Sequence, residues 1–243
     1  MHKFFDRHAK VALMFSGGRD SLACLHLCQP FLDQITVVWV NPGNPYPETI
    51  AQMAEVRASV PNFIEVPGNQ PDFIRDFGYP ADVVPMSMTK MGRAFSRTPG
   101  VVVTSYMACC SANLWEPAAR HIENAGYTGV IRGDRLEDAL KPPLQSGDIL
   151  NGVEYLFPLE QYTAAQVLDL VGQSLPKSYA RGVRTSLDCM NCTAYMAHNG
   201  ERLADLKTTS PKTYSEVCNV INAVAQELGS HIKLIDESGV IHG

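Results

Sequence analysis

The chain has 243 residues, 45% hydrophobic and 19% charged, with a formal net charge of −5. That composition fits a globular protein of one large domain, or one domain with an appendage, and the acidic balance excludes non-specific coating of nucleic acid while leaving room for a local basic groove. No apolar run reaches the roughly 18 residues that span a membrane. The stretch Met1–Lys10 lacks an apolar core of secretion-signal length, so the expectation is a cytoplasmic protein with no membrane partner.

Val11–Phe15 is short and continuously apolar, as a buried strand is. Ser16, Gly17 and Gly18 interrupt it, and a helix is predicted from Asp20 to Phe31. A strand, a small-residue turn and a helix start form an anion site, because free N–H groups and the positive end of the helix dipole point at one place. Ile35–Val40 is a second strand. A helix opens at Pro47, a favoured first-turn position for proline, and runs to about Val60. Asn62–Gly68 is a third strand. Residues 71 to 100, with four prolines, read as irregular. Ser111–Gly126 is a helix ending on a glycine. Tyr127–Asp134 is a fourth strand and Val153–Leu159 a fifth. Thr163 opens a helix through Gln173, and Ser210-Pro211 opens another through Gly229. Ile232–Gly243 reads as a hairpin turning at 237–239.

Alternation of strand and helix predicts an α/β fold: a Rossmann-like parallel sheet with helices on both faces, plus a helical C-terminal tail. The expected division is a nucleotide-binding domain over residues 1–200 and an appendage of helix and hairpin over 201–243. Ligands in such folds sit beyond the carboxyl ends of the strands, where the loops at 16–21, 41–49 and 132–143 converge.

The seven cysteines are odd in number and come with no export signal, which argues against a disulfide framework. Cys24 and Cys28, among apolar neighbours, read as small buried hydrophobes, as does Cys218. Cys109 and Cys110 are adjacent; Cys189 and Cys192 form a C-x-x-C pair separated from them by 78 residues (111 to 188). Four thiolates in two clusters can close a loop around a metal centre. Adjacent cysteines are awkward ligands for one Zn²⁺ and easier to accommodate on a larger cluster. Zinc and unliganded thiols remain the alternatives.

The loop Ser16-Gly17-Gly18-Arg19-Asp20-Ser21 has neither Walker nor dinucleotide-fold spacing. It resembles the PP-loop of the adenine nucleotide alpha-hydrolase superfamily, and within it the phosphoadenylyl sulfate and adenylyl sulfate reductase family. The resemblance implies that Ser16, Gly17, Gly18 and Ser21 donate to a phosphate or phosphosulfate. It places Asp20 near the metal or leaving group, and puts Arg19 where lysine is frequent. Arginine keeps the charge and offers a two-pronged grip. Pro47-Glu48-Thr49 resembles the family's segment after strand two, with Asn41-Pro42-Gly43 replacing Asp-Thr-Gly, so Asn41 would meet a ribose hydroxyl. The alternative is that Pro47-Glu48-Thr49 only starts a helix. Gly133, Arg135 and Lys141 resemble the family's phosphate-reaching region and would complete a positive pocket; the alternative is a solvated charged loop. Phe157–Val171 resembles a packing segment of the family, with Tyr162 in place of Trp.

The cysteine pattern resembles the [4Fe–4S] subgroup of these reductases, which implies a cluster on Cys109, Cys110, Cys189 and Cys192. A cluster-bearing phosphorothioation enzyme of bacterial DNA modification belongs to the same superfamily. The implied catalytic set is Arg19, Asp20 and Arg135; the implied ligands are ATP or an adenylyl sulfate-type nucleotide, with Mg²⁺. The resemblance breaks at the C-terminus. Family reductases carry a Glu-Cys-Gly-Leu/Ile-His motif whose thiolate attacks sulfur, and here Glu227–His231 puts Leu228 at the cysteine position. Cys218 lies ten residues upstream, about 15 Å along a helix.

Three functions follow as expectations. The first is ATP cleavage between the α and β phosphates with adenylation of a substrate or sulfur transfer to it. The second is a sulfonucleotide reductase releasing sulfite, and the third a non-catalytic nucleotide or redox sensor. The corresponding partners are a sulfur donor, thioredoxin, a nucleic-acid substrate, or a second copy of the chain.

Overall fold

The structure, a computed structural model, describes residues 1–138 and 141–237. A short helix α1 (His2–Phe5) precedes β1 (Val11–Met14), α2 (Arg19–Leu27), β2 (Ile35–Asn41), α3 (Pro47–Ser59) and β3 (Phe63–Pro67). Then come α4 (Gln70–Phe77), β4 (Tyr79–Ala81), α5 (Lys90–Ser96), β5 (Val103–Ser105), α6 (Tyr106–Cys110) and α7 (Glu116–Ala125). β6 (Gly129–Ile131), β7 (Ile149–Leu150), β8 (Val153–Leu156), α8 (Ala164–Val171), α9 (Lys177–Ala180), α10 (Met196–Thr209) and α11 (Pro211–Glu237) complete the order.

The main sheet runs β3-β2-β1-β6-β8-β7, all parallel except β7, which pairs antiparallel with β8. Register is set by Val11 opposite both Ile35 and Gly129. Both faces are covered. Val11, Leu13, Val37 and Trp39 point to one core with α2, α3 and α8, while Ala12, Val38, Val66 and Val130 point to the other, with Tyr127 and Ile122. Full burial of side chains such as Leu13, Val37 and Ile131 contributes about 1.5–3 kcal/mol each.

Local chemistry places the ends of the elements. Thr163 and Gln166 form a reciprocal capping box on α8, and Gly126 ends α7 in the left-handed conformation at φ +68°. The first helix stops at Leu27, short of the expected Phe31, because Pro30 has no N–H to continue it and lies in a 3₁₀ turn over Gln29–Gln34. The stretch expected to be irregular holds α4, β4 and α5, with Asn69 and Thr89 accepting the cap bonds from Asp72 N and Gly92 N. β4 and β5 form a separate two-stranded parallel sheet. The helix expected from Ser111 starts at Tyr106 and contains a π-helical turn over Ser111–Trp115.

α10 crosses residue 200. With α11 it packs on Tyr46, Val183 and Leu187, while Val220 of α11 reaches Ala81, Met88 and Val103. Ile232–Glu237, read as the first arm of a hairpin, continues α11, whose backbone bonds outweigh local strand propensity. The remainder of that hairpin lies outside the described residues. Among the described residues no helix is long and apolar enough to cross a membrane.

Candidate functional site: an anion loop and four thiols

The turn between β1 and α2 is shaped for close approach. Gly17 has φ +79°, and a Cβ there would lie 2.6 Å from Gln52 Oε1. Gly18, extended at φ −73° and ψ 165°, is the N-cap of α2. Ser21 Oγ donates to Gly18 O at 2.9 Å, Gly18 N to Ser16 Oγ at 3.4 Å, and Gln52 Nε2 to Gly17 O at 2.9 Å. These bonds stiffen the loop and leave backbone amides of the first turn of α2 at the carboxyl edge of the sheet, the arrangement that receives an oxyanion.

Behind the loop sits Asp20, with Oδ1 2.9 Å from Arg135 Nε and Oδ2 3.4 Å from Arg19 Nε. Burial pushes the Asp20 carboxyl up, and the two guanidinium groups oppose that shift. Arg135 is 5% exposed and also pairs with Glu137 and, at 2.7 Å, with Asp138. Arg135, which the resemblance has reaching toward a phosphate, is ion-paired with Asp20, Glu137 and Asp138 in this structure. Three carboxylates surround its guanidinium, so it orders Asp20 and its own loop. Gly133 packs on the same turn: a Cβ there would lie 3.0 Å from Asp20 C. Lys141 is half-buried further along the loop, past two residues outside the described set. Asn41, at the end of β2, spends its side chain locally, donating to Glu65 Oε1 at 2.7 Å and accepting from Gly43 N at 2.9 Å.

The loop has a cover that the sequence reading missed. A cleft of about 240 Å³, solvent included, is lined by Ser16–Gly18, by Glu48, Thr49 and Gln52 of α3, and by Pro176, Ser178, Tyr179 and Thr185–Leu187. Arg19 N donates to the Tyr179 hydroxyl at 3.2 Å. Glu48 accepts from Ser178 N and from Arg181, each at 2.7 Å, and Arg181 also reaches Asp205 at 2.6 Å. Thr49 Oγ1 donates to Leu187 O at 2.7 Å. Glu48 thus starts α3 and also ties the cover down. The available signal was the run of hydroxyl and basic residues Ser174–Ser186 immediately before the C-x-x-C pair.

The four predicted sulfur ligands lie within electrostatic range of one another. Burial pushes the Cys109 thiol up to about 12, with Cys110 and Cys192 adding to the shift, and Cys110 up to about 11, with Cys192 adding. Cys189 is driven well up by burial, then by Asp188, Cys192, Cys109 and Cys110. Among the described residues no three His, Cys, Asp or Glu are drawn together as ligands of one metal ion. The donor set is four sulfurs from two segments, and cysteine thiolates are the ligand type that iron–sulfur clusters take. Around it, Tyr195 sits at φ +62° with its hydroxyl on Cys110. Asp82 caps Tyr195 N and Met196 N at 2.7 and 2.9 Å. Arg202, 3% exposed, donates to Cys192 O at 2.7 Å and to the Tyr46 hydroxyl at 3.1 Å. Leu187 lines the cleft and Cys189 follows two residues later, so one segment serves both places.

Leu228 lies on α11 beside an apolar groove with Ala81, Met196 and Val224. Cys218, on the same helix, is half-buried, which corrects its reading as a buried hydrophobe: α11 leaves that side chain partly open to solvent. Cys24 and Cys28 are buried in the main core, as the sequence predicts.

A family model for the phosphoadenosine phosphosulfate reductase domain matches residues 10–194. No curated protein sequence matches significantly. Among solved structures, the phosphoadenylyl-sulfate reductase of Candida auris in its phosphate complex superimposes with a TM-score of 0.51 at 16% identity, over 74% of this chain and 81% of that one. The NH3-dependent NAD synthetase of Campylobacter jejuni, in complex with nitrate, gives a TM-score of 0.46 at 11% identity over 93% and 90%. The first of these shows a shared α/β fold.

Proposed function

The chain belongs to the phosphoadenosine phosphosulfate reductase domain family, and from that premise we propose that it binds an adenine nucleotide on the Ser16–Ser21 loop, cleaves ATP between the α and β phosphates, and adenylates a substrate or transfers sulfur to it. The observation that carries this reading is an intact anion loop in a chain with no thiol at the family's sulfur-attacking position. The motif resemblance puts Leu228 at that position, and the thiols outside the quartet are Cys24 and Cys28 in the core and Cys218 on α11.

Each residue then has a task. The amides of Gly17 and Gly18 and the first turn of α2 hold the pyrophosphate oxygens, where the helix dipole favours negative charge. Ser16 and Ser21 fix the loop's shape: Ser21 spends its O–H on Gly18 O, while Ser16, which accepts from Gly18 N, has an O–H to offer the anion. Arg19 is the cation nearest the developing charge on the leaving pyrophosphate. Asp20, held by Arg135, keeps Arg19 oriented at 3.4 Å. Mg²⁺ enters with the nucleotide, because it is bound chiefly through phosphates and water. Gly133 packs on the turn at Asp20, and the Glu48–Arg181 tie brings Tyr179 over the loop, limiting access of water; Lys141 and Asn41 would reach the nucleotide as the resemblance implies.

Cys109, Cys110, Cys189 and Cys192 would hold a [4Fe–4S] cluster, for which four cysteine thiolates are the usual ligand set. When bound, the cluster supplies charge and a one-electron centre near the nucleotide. The test is oxygen-free purification with iron and sulfide analysis, joined to calorimetry with ATP, adenylyl sulfate and its 3′-phosphate. ATP binding and bound iron are expected. Tight adenylyl sulfate binding without ATP binding, or sulfite release in the presence of thioredoxin, overturns the ATP-cleaving reading.

A further inference from the structure

Asn113 was not among the residues singled out from the sequence, and it lies between Cys109 and the loop after β3. It sits in the π-helical turn Ser111–Trp115, immediately after Cys109 and Cys110, and is 4% exposed. Its Nδ2 donates to Cys109 O at 2.9 Å and lies 3.8 Å from Cys109 Sγ, within reach of a hydrogen bond to sulfur. Its Oδ1 accepts from Asn69 N at 3.0 Å, which fixes which end of the amide faces the sulfur. The backbone of the same residue is equally constrained: a Cβ on Gly68 would lie 2.3 Å from Asn113 O. Gly68 N in turn donates to Asn41 O at 2.6 Å, at the end of β2. π turns inside helices recur at functional sites, because the extra residue re-aims a side chain.

We infer that Asn113 is a positioning residue of the cysteine centre, which donates its amide N–H to the Cys109 sulfur and holds that sulfur in register with the loop after β3. The inference rests on the cluster reading above. Hydrogen bonds to cysteine sulfur stabilise the more negative, reduced state of an iron–sulfur centre and raise its potential. A buried amide locked at both ends does this without adding charge.

The experiment compares wild-type, Asn113→Asp and Asn113→Ala proteins, purified without oxygen and assayed for iron, sulfide and midpoint potential. Asn113→Asp keeps the acceptor for Asn69 N, removes the donor and adds a carboxylate charge. Asn113→Ala removes the donor without adding charge, and serves if the buried carboxylate prevents folding. Both variants are expected to hold iron and to shift the potential negative, Asp further than Ala. Loaded variants with the wild-type potential overturn this inference and leave the cluster reading standing. Iron-free wild-type protein overturns both.

Discussion

The hydroxyl oxygen of Tyr179 lies 3.2 Å from the backbone nitrogen of Arg19, at the first turn of α2. Without a ligand, the cover therefore satisfies an amide that an oxyanion would otherwise take. A neutral hydrogen bond of this kind contributes about 1 kcal/mol net, equivalent to about fivefold in an equilibrium constant. Tyr179→Phe is expected to bind pyrophosphate about fivefold more tightly. Calorimetry on both proteins checks this; weaker binding in the variant would mean that Tyr179 donates to the anion instead.

A second ion-pair set lies under the opposite end of the sheet. Glu154 of β8 accepts from Arg7 Nε at 3.1 Å and lies 2.8 Å from His8 Nε2, and Thr128 Oγ1 is 3.0 Å from His8 Nδ1. The hydrogen bond from Arg7 is the main reason that the Glu154 carboxyl is held below its ordinary 4.5, with His8 adding to it against burial. A carboxylate depressed in the folded state stabilises above its unfolded pKa, and that stability drains away as pH falls through the lower, folded value. The melting temperature is expected to fall as pH drops below about 4.5, and Glu154→Gln is expected to flatten that fall while lowering stability at neutral pH. Thermal melts from pH 3 to pH 7 decide it; parallel curves would remove Glu154 from the acid response.

The sheet and its two covered faces were legible because continuously apolar strand runs alternating with helical patterns, and glycine or proline at element ends, are local signals. The anion loop and the cysteine pairs were legible for the same reason: each is a short string. What stayed hidden depends on contacts between distant residues. Tyr179 meets Arg19 across 160 positions, Ser178 meets Glu48 across 130, and Asn69 meets Asn113 across 44. The charge of Arg135 was visible in the sequence, and the three carboxylates paired with it were not. The C-terminal arm misled because Ile232, Leu234 and Ile235 resemble a strand edge, yet they lie on an exposed extension of α11.

Gly68 shows how tightly the β3 loop and the π turn are pressed together. A Cβ there would meet Asn113 O at 2.3 Å, a backbone atom that cannot rotate away. Gly68→Ala is expected to cost about 2–3 kcal/mol through forced separation of the two segments. Gly126 is the comparison: it has open space around it and φ +68°, so Gly126→Ala is expected to cost only about 1 kcal/mol of backbone strain. Urea unfolding of both variants measures the difference, and equal losses would show that the β3 loop yields easily.

Arg202 tests whether the C-x-x-C segment is held from behind. Its guanidinium is 3% exposed, bonds Cys192 O at 2.7 Å and the Tyr46 hydroxyl at 3.1 Å, and leaves Nε without a partner among the described residues. It is also a cation that opposes the upward shift of Cys192, so its charge is felt at the sulfur itself. Hydrogen bonds from a charged donor are worth about 1.5–3 kcal/mol each, and Arg202→Met removes two while leaving the Cys192 carbonyl and the Tyr46 hydroxyl buried. The expected loss is about 3 kcal/mol in urea unfolding, with iron content falling in the same preparation. Arg202→Lys, which keeps the charge as a point donor without the planar fork, is expected to recover iron more fully than stability. If Arg202→Met retains both, the segment is held by Leu187, Leu206 and Val217 packing alone.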